Sequence, residues 1–456
     1  MEKQEVRILC PTGHLGFIPI HKTSFRLGME MKPDYYCCDS GSRTIGPGHL
    51  GSDTGMSLYD WQKHDLELML LASRQQGVPL IIGSAGDTGT NSKVDQYVRM
   101  IEYLARKHTL APFKLVYFYS EVSKDLLKNK LEQGAIIESL EGTMRLTNEE
   151  FDQTERIVAV AGANPFLEAL QRGADVTIGG RSSAMALFAA AALYEGCAEH
   201  LAYAMGRMLA EASRYTEPGS LQKTLIGTIA GQEVSVRAVP PHQRCTMASM
   251  IGNLRSDGGT PVYESVMGGV LDMTDCHYEQ EDDATIRLTG ATFIPVEGHT
   301  HVTLEGAGKV GDRVVGIIGV RDSYTMHHLD TMLAWTRSQI EQQFVGKSYE
   351  LVYRVYGKPD ALNALTPIVA DTSPEVGILL EGIAETEQLA EELTVMAMRH
   401  LLYAPPPNGT APAGFPDLVL DGLLSAPPAY RWTINHTIEV DDPVALFEMH
   451  EMMIGV

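Results

Sequence analysis

Asp39 and Asp87 lie in two glycine-rich stretches, CCDSGSRTIGPGHLGSDTG and LIIGSAGDTG, each following an apolar run. A carboxyl group at such a place is partly withdrawn from water, which moves its pKa toward the range where it can take up or donate a proton at neutral pH. Arg181, in IGGRSS, is the cation that could accompany them, because its planar fork holds a carboxylate or phosphate through two hydrogen bonds. Ser40, Gly41, Ser84, Gly86, Asn164, Gly180, Ser182 and Ser183 surround these three in the sequence motifs. They offer hydroxyls, an amide and backbone N–H groups that a substrate can approach closely. Lys358, in YRVYGK, is a further candidate contact for phosphate or CoA, or a solvated turn lysine. The chemistry this set could perform is proton transfer beside a bound anion. Each member also has a structural reading: aspartates cap loops and helices, and Arg181 could close a buried salt bridge with one of the two aspartates.

Other chemistries fit less of the chain. Ser40 and Ser84 lie outside any GxSxG, and no ordered Ser, Asp and His trio is evident, which argues against an acyl-enzyme. His299, His301 and Glu305 share one parity, so an uninterrupted strand would project them from one face with Val302 and Leu304 on the other. That arrangement is compatible with a divalent metal, although a polar outer face is its ordinary meaning. His14, His49 and His436 are scattered and read as structural. GHLG at 13–16 lacks the first glycines of a dinucleotide fingerprint, and the six cysteines form no CxxC pair. No NAD, flavin, iron–sulfur cluster or disulfide framework is expected.

The elements that must position these residues follow from hydrophobic periodicity. Apolar runs at 6–9, 78–82, 114–120, 157–161 and 175–178 read as strands, each ending in small polar residues. Helical spacing separates them, with a helix over about 58–75 capped by Ser57 and supported by Asp60, another from about 94, one at 122–133 and an Ala-rich one after Ser183. Alternating strands and helices imply right-handed βαβ units, a parallel sheet, and a ligand site outside the carboxyl ends of its strands. From about residue 224, short alternating runs argue antiparallel strands, followed by a helix at 329–344, strands at 349–356 and 376–383, and a helix at 386–402. APPPNG at 404–409 is an extended linker, and the tail beyond it carries an alternating strand and a short helix ending at Met453. The expected fold is α/β: a parallel-sheet domain at 1–223, an α+β domain with antiparallel strands at 224–404, and a linker with a small α+β domain at 405–456.

Fifty-eight acidic against thirty-six basic residues give a formal charge of −22, which opposes binding to nucleic acid or anionic membranes. An anionic substrate therefore needs a local basic pocket. The N-terminus has no basic region followed by an apolar one, and no run approaches the about 18 apolar residues of a membrane span, so a soluble cytoplasmic protein, assembled as a homo-oligomer, is expected.

The motifs CDSGSRTIGP, LIIGSAGDTG, GADVTIGGRSSAMALFAAA, LEGAGKVGDR and YRVYGK resemble, in this order, those of the acyclic terpene utilisation AtuA family, over about residues 5–405. The tail RWTINHTIEVDDPVALFEMH is similar to the small AtuA-associated domain, often a separate polypeptide and here fused behind the proline linker. The resemblance implies a catabolic role toward acyclic terpenoid acyl-CoAs or small carboxylic acids. With the residues above it points to a lyase or hydro-lyase acting on a small hydroxy-carboxylic acid or its acyl-CoA ester. The alternative is a non-catalytic acyl-CoA-binding or organising subunit of a catabolic complex.

Overall fold

A computed structural model describes residues 5–41, 43–140, 142, 146–210, 216–217, 224–249, 262–296, 300–357, 375–405, 417–418 and 422–455. Two compact units emerge, one made of residues 1–307 with 432–456 and the other of 308–431.

In the first unit, β1 (Glu5–Cys10), β2 (Tyr35–Gly41), β3 (Leu80–Asp87) and β4 (Phe113–Phe118) are apolar runs that become buried strands. β1, β2 and β3 pair in parallel, and Val176–Gly179 inserts between β3 and β4, parallel to both. Every position of β2 and β3 is buried, as expected of strands covered on both faces. Leu66, Met69 and Leu70 of the helix Tyr59–Gln76, with Val94, Tyr97 and Ile101 of Asn91–Lys107, fill one of the cores against this sheet. The Ala-rich helix Ala186–Tyr194 contributes to another.

The expected α/β class is present, and three features differ from the sequence reading. The strand Arg156–Val160 does not join the parallel sheet: it pairs antiparallel with Thr303–Ala307. The antiparallel strands beyond 224 do not open a new unit, because Leu225–Ala230 pairs along the whole of β1 and carries Glu233–Ala238 and Thr285–Thr289 with it into one ten-stranded sheet. The compact units divide at 307/308 and 431/432, while the sequence suggests boundaries near 223/224 and 404/405. In place of a helix ending at Met453, Met449–Ile454 is a strand, antiparallel to β4 at the end of that sheet. The proline linker lies mostly outside the described residues.

The second unit has its own core. Asp312–Val320 pairs with Val376–Ala384, which pairs with Tyr349–Tyr356, and the helices Ser323–Gln343 and Glu387–Leu402 bury Leu329, Met332, Leu393 and Leu401 with Ile318 and Leu380. Among the described residues no helix is long and apolar enough to cross a membrane.

Candidate functional site

Parallel pairing places the carboxyl ends of β1, β2, β3 and Val176–Gly179 on one edge. Asp39 sits near the end of β2, where its carbonyl accepts the N–H of Leu15 at 2.9 Å and so ties the turn after β1 to the strand. Its side chain is only 5% exposed, and Oδ1 is buried without a hydrogen-bond partner among the described residues. Burial raises its pKa, and the neighbouring His14 and Arg181, with hydrogen bonds from Ser84 and Ser40, offset only part of that effect.

Asp87 ends β3 in the left-handed region, at φ 74°, which a short polar side chain tolerates. It is fully buried, but its oxygens are satisfied. His14 Nε2 lies 2.7 Å from Oδ1, the Ser57 hydroxyl donates to Oδ1 at 2.6 Å, and the Ser57 N–H donates to Oδ2 at 2.9 Å. Burial works against ionisation here too, yet the hydrogen bonds from His14 and Ser57 outweigh it and hold the carboxyl below its usual range. An ionised carboxylate only accepts, so the proton at this contact belongs to His14 Nε2, and Nδ1 is the nitrogen left to act elsewhere. Buried Asp65 fixes the turn that carries His14 by accepting the N–H groups of Gly16 at 3.0 Å and Ile20 at 2.8 Å. Ser57 was expected to cap the following helix. Leu58 holds the cap position with no side-chain bond, because both polar groups of Ser57 are engaged by Asp87.

Arg181 follows Val176–Gly179, and its N–H donates to Gly89 O at 3.0 Å. Gly89 has φ +66°, and a Cβ there would lie 2.1 Å from Arg181 N, so only glycine permits the approach. The buried guanidinium is committed to Glu305: Nε donates to Oε2 at 2.9 Å and Nη2 to Oε1 at 3.5 Å. Burial alone would lower the arginine pKa, but Glu305, and to a lesser degree Asp39, keep it raised. Arg43 Nε lies 3.7 Å from Glu305 Oε1, with its guanidinium 5.5 Å from the centroid of the Trp432 ring. Arg181 thus has the buried ion pair that was its alternative reading, with Glu305 as the partner where an aspartate was expected.

The other candidates divide into groups. Ser84 and Ser182 lock two strand ends together, with Ser84 N donating to Ser182 Oγ at 3.1 Å and Ser182 N to Ser84 Oγ at 3.2 Å. Ser40, fully buried, shares a 2.7 Å hydrogen bond with the Tyr97 hydroxyl. Gly41 lies against Asp87, where a Cβ would come within 2.4 Å of its carbonyl oxygen. Gly86 turns at φ +62°, and Gly180 packs on Ser120. Asn164 falls in the first turn of Ala163–Gln171, half-buried, and Ser183 and His301 line a separate chamber.

Lys358 and His299 lie outside the described residues. His301 and Glu305 do share a face, but Glu305 goes to Arg181 and His301 to the chamber, and the described residues contain no group of three or more side chains that could hold a metal ion. Cys10, Cys37, Cys38 and Cys276 are free thiols, and burial pushes the Cys10 thiol up to about 12.

The sequence reading missed His14 and Ser57 as partners of Asp87 and Glu305 as the partner of Arg181. A signal for His14 was present: CPTGHLG follows β1 as the other polar loops follow their strands. The arrangement brings together one carboxyl held toward its protonated form, one held ionised, and an imidazole between a carboxylate and the site.

Residues 51–205 match the family model described as acyclic terpene utilisation family protein AtuA. Neither a curated protein nor a solved structure matches the chain.

Proposed function

The chain belongs, through residues 51–205, to the AtuA family, and from that premise we propose that it is a catabolic lyase or hydro-lyase acting on a small hydroxy-carboxylic acid or its acyl-CoA ester within acyclic terpene utilisation. The observation that carries this reading is the opposite treatment of two buried carboxyls that both lie close to His14, Asp39 held up and Asp87 held down. Pairs of titratable groups driven apart in this way mark acid and base assignments. His14 Nδ1 takes the proton from the carbon beside the substrate carbonyl, and ionised Asp87 stabilises the imidazolium. The electrons of that C–H bond form the C=C bond, and the hydroxyl leaves with the Asp39 proton as water. Proton transfer from His14 back to Asp39 through solvent resets the pair. Arg43 and Arg181 offset the charges of Glu305 and ionised Asp87, so this edge does not carry the negative excess of the chain as a whole, formally −22.

The test is a panel of hydroxy-acids and hydroxyacyl-CoAs incubated with the protein in deuterium oxide. Water loss with solvent deuterium entering the carbon beside the carbonyl is expected for at least one member, and Asp39→Asn should stop it. Full turnover by Asp39→Asn or by His14→Ala would remove the reading. The commitment of Arg181 to Glu305 favours a second reading, a non-catalytic subunit that binds an acyl-CoA. That reading predicts saturable acyl-CoA binding with no exchange and no turnover across the whole panel.

A further inference from the structure

A chamber of about 370 Å³ lies in the first unit, apart from the Asp39 and Asp87 side chains. Its size falls in the range of small-molecule sites. Val160, Met185, Tyr203, Val266, Met267 and Val296 give it mainly apolar walls. Tyr203 is held in place by stacking on Phe293, with centroids 5.4 Å apart, and its hydroxyl is spent on the Met267 carbonyl at 3.4 Å.

The polar lining is distinctive. Beside the exposed Ser265, Ser183, Thr303 and Thr437 contribute less exposed side-chain hydroxyls that have no hydrogen-bond partner among the described residues. Among the described residues that line the chamber there is no lysine or arginine, and Glu138 and His301 are exposed. A hydroxyl can donate to or accept from a ligand hydroxyl, so three unmatched ones favour a neutral polar group. An anion drawn inside would lose its water with no buried cation to replace it. From these features we infer that the chamber binds a neutral, mainly aliphatic molecule, or the neutral part of a larger one, through a hydroxyl group that meets Ser183, Thr303 and Thr437. The inference rests on the chamber's own lining and goes beyond the acid–base reading.

Cyclohexanol is the probe, titrated into the full-length protein by calorimetry with saturation-transfer NMR. Saturable binding is expected. Val296→Trp, at a half-exposed position on the rim, should fill the space and weaken binding at least about ten-fold. Thr303→Val keeps the shape, removes one hydroxyl and should weaken binding about five-fold, the scale of one neutral hydrogen bond. Cyclohexanecarboxylate should bind at least about ten-fold more weakly than cyclohexanol, the cost of an unpaired charge. Melting temperatures establish that each variant is folded, and if Val296→Trp is unstable the Thr303→Val result decides. Absence of saturable cyclohexanol binding, binding indifferent to both substitutions, or equal affinity for the carboxylate would overturn the inference. Asp39→Asn should leave cyclohexanol binding unchanged, so loss of turnover and loss of this site are separable.

Discussion

At the end of β2, Asp39 is buried with one oxygen unpartnered, whereas at the end of the neighbouring β3, Asp87 is buried as deeply and accepts three hydrogen bonds. Neither carboxyl is exposed, so surface exposure alone does not separate them. The difference lies in what the adjacent loops supply: the turn after β1 gives Asp87 an imidazole, and the segment before the helix Tyr59–Gln76 gives it Ser57, while Asp39 is left with charges nearby and no donor on Oδ1. A carboxyl whose donors outweigh its burial becomes a fixed negative charge that orients other groups, and one whose burial outweighs its donors, as at Asp39, has its pKa raised.

The comparison is best attacked where the expected effect is largest. Asp39→Asn should lower turnover by about 10²–10⁴-fold, the usual share of a general acid, with substrate binding retained. The same variant should be more stable than the parent at neutral pH by roughly 0.5–2 kcal/mol, since it removes a group kept for function at a cost in stability. The sign follows from linkage. Burial raises the folded pKa of Asp39 above its unfolded value, so its contribution is favourable below the unfolded pKa and is lost as the pH rises through the folded one. A variant less stable than the parent at pH 7, measured by thermal melting, would contradict this.

Arg181→Ala should cost about 3–5 kcal/mol, because it leaves Glu305 buried without its closest cation. If the melting temperature is unchanged and activity is lost, Arg181 serves the substrate and not the fold. Asp87→Asn should cost roughly 1.5–3 kcal/mol at neutral pH, the scale of hydrogen bonds to a charged group, since asparagine tolerates the φ of 74° and only the charge is removed. The folded pKa of Asp87 is depressed, so its stabilisation is present above the unfolded value, near 3.8, and is lost as the pH falls through the folded one. Melting temperatures of parent and variant should converge below that range, and a constant gap down to pH 2 would refute the assignment. Ser57→Ala, which keeps the backbone donor and deletes the hydroxyl, should cost about 1 kcal/mol and move the acid limb of the stability profile upward. An unchanged acid limb would mean that Ser57 contributes nothing to holding Asp87 ionised.

Much of the scaffold is a local property of the sequence. Apolar runs of about four or five residues followed by small polar turns define β1, β2, β3 and Val176–Gly179, and the alternation with helices makes them parallel and puts Asp39, Ser84, Asp87, Arg181 and Ser182 on one edge. Short runs without that context were ambiguous. MHEMMI reads equally as the end of an amphipathic helix, and only the open edge of β4 makes it a strand. RIVAV carries the same strand signal as its neighbours, yet nothing within it says that its partner is Thr303–Ala307.

The sequence by itself thus determined which side chains stand at strand ends, because periodicity and turn chemistry act over a few residues. Tertiary structure alone decided whom they meet: Glu305 reaches Arg181 across 124 positions, and His14 and Ser57 reach Asp87 across 73 and 30. Strand order and register set those encounters, and with them which carboxyl has its pKa lowered and which has it raised. Both are outcomes of the global packing, to which no stretch of sequence has access alone.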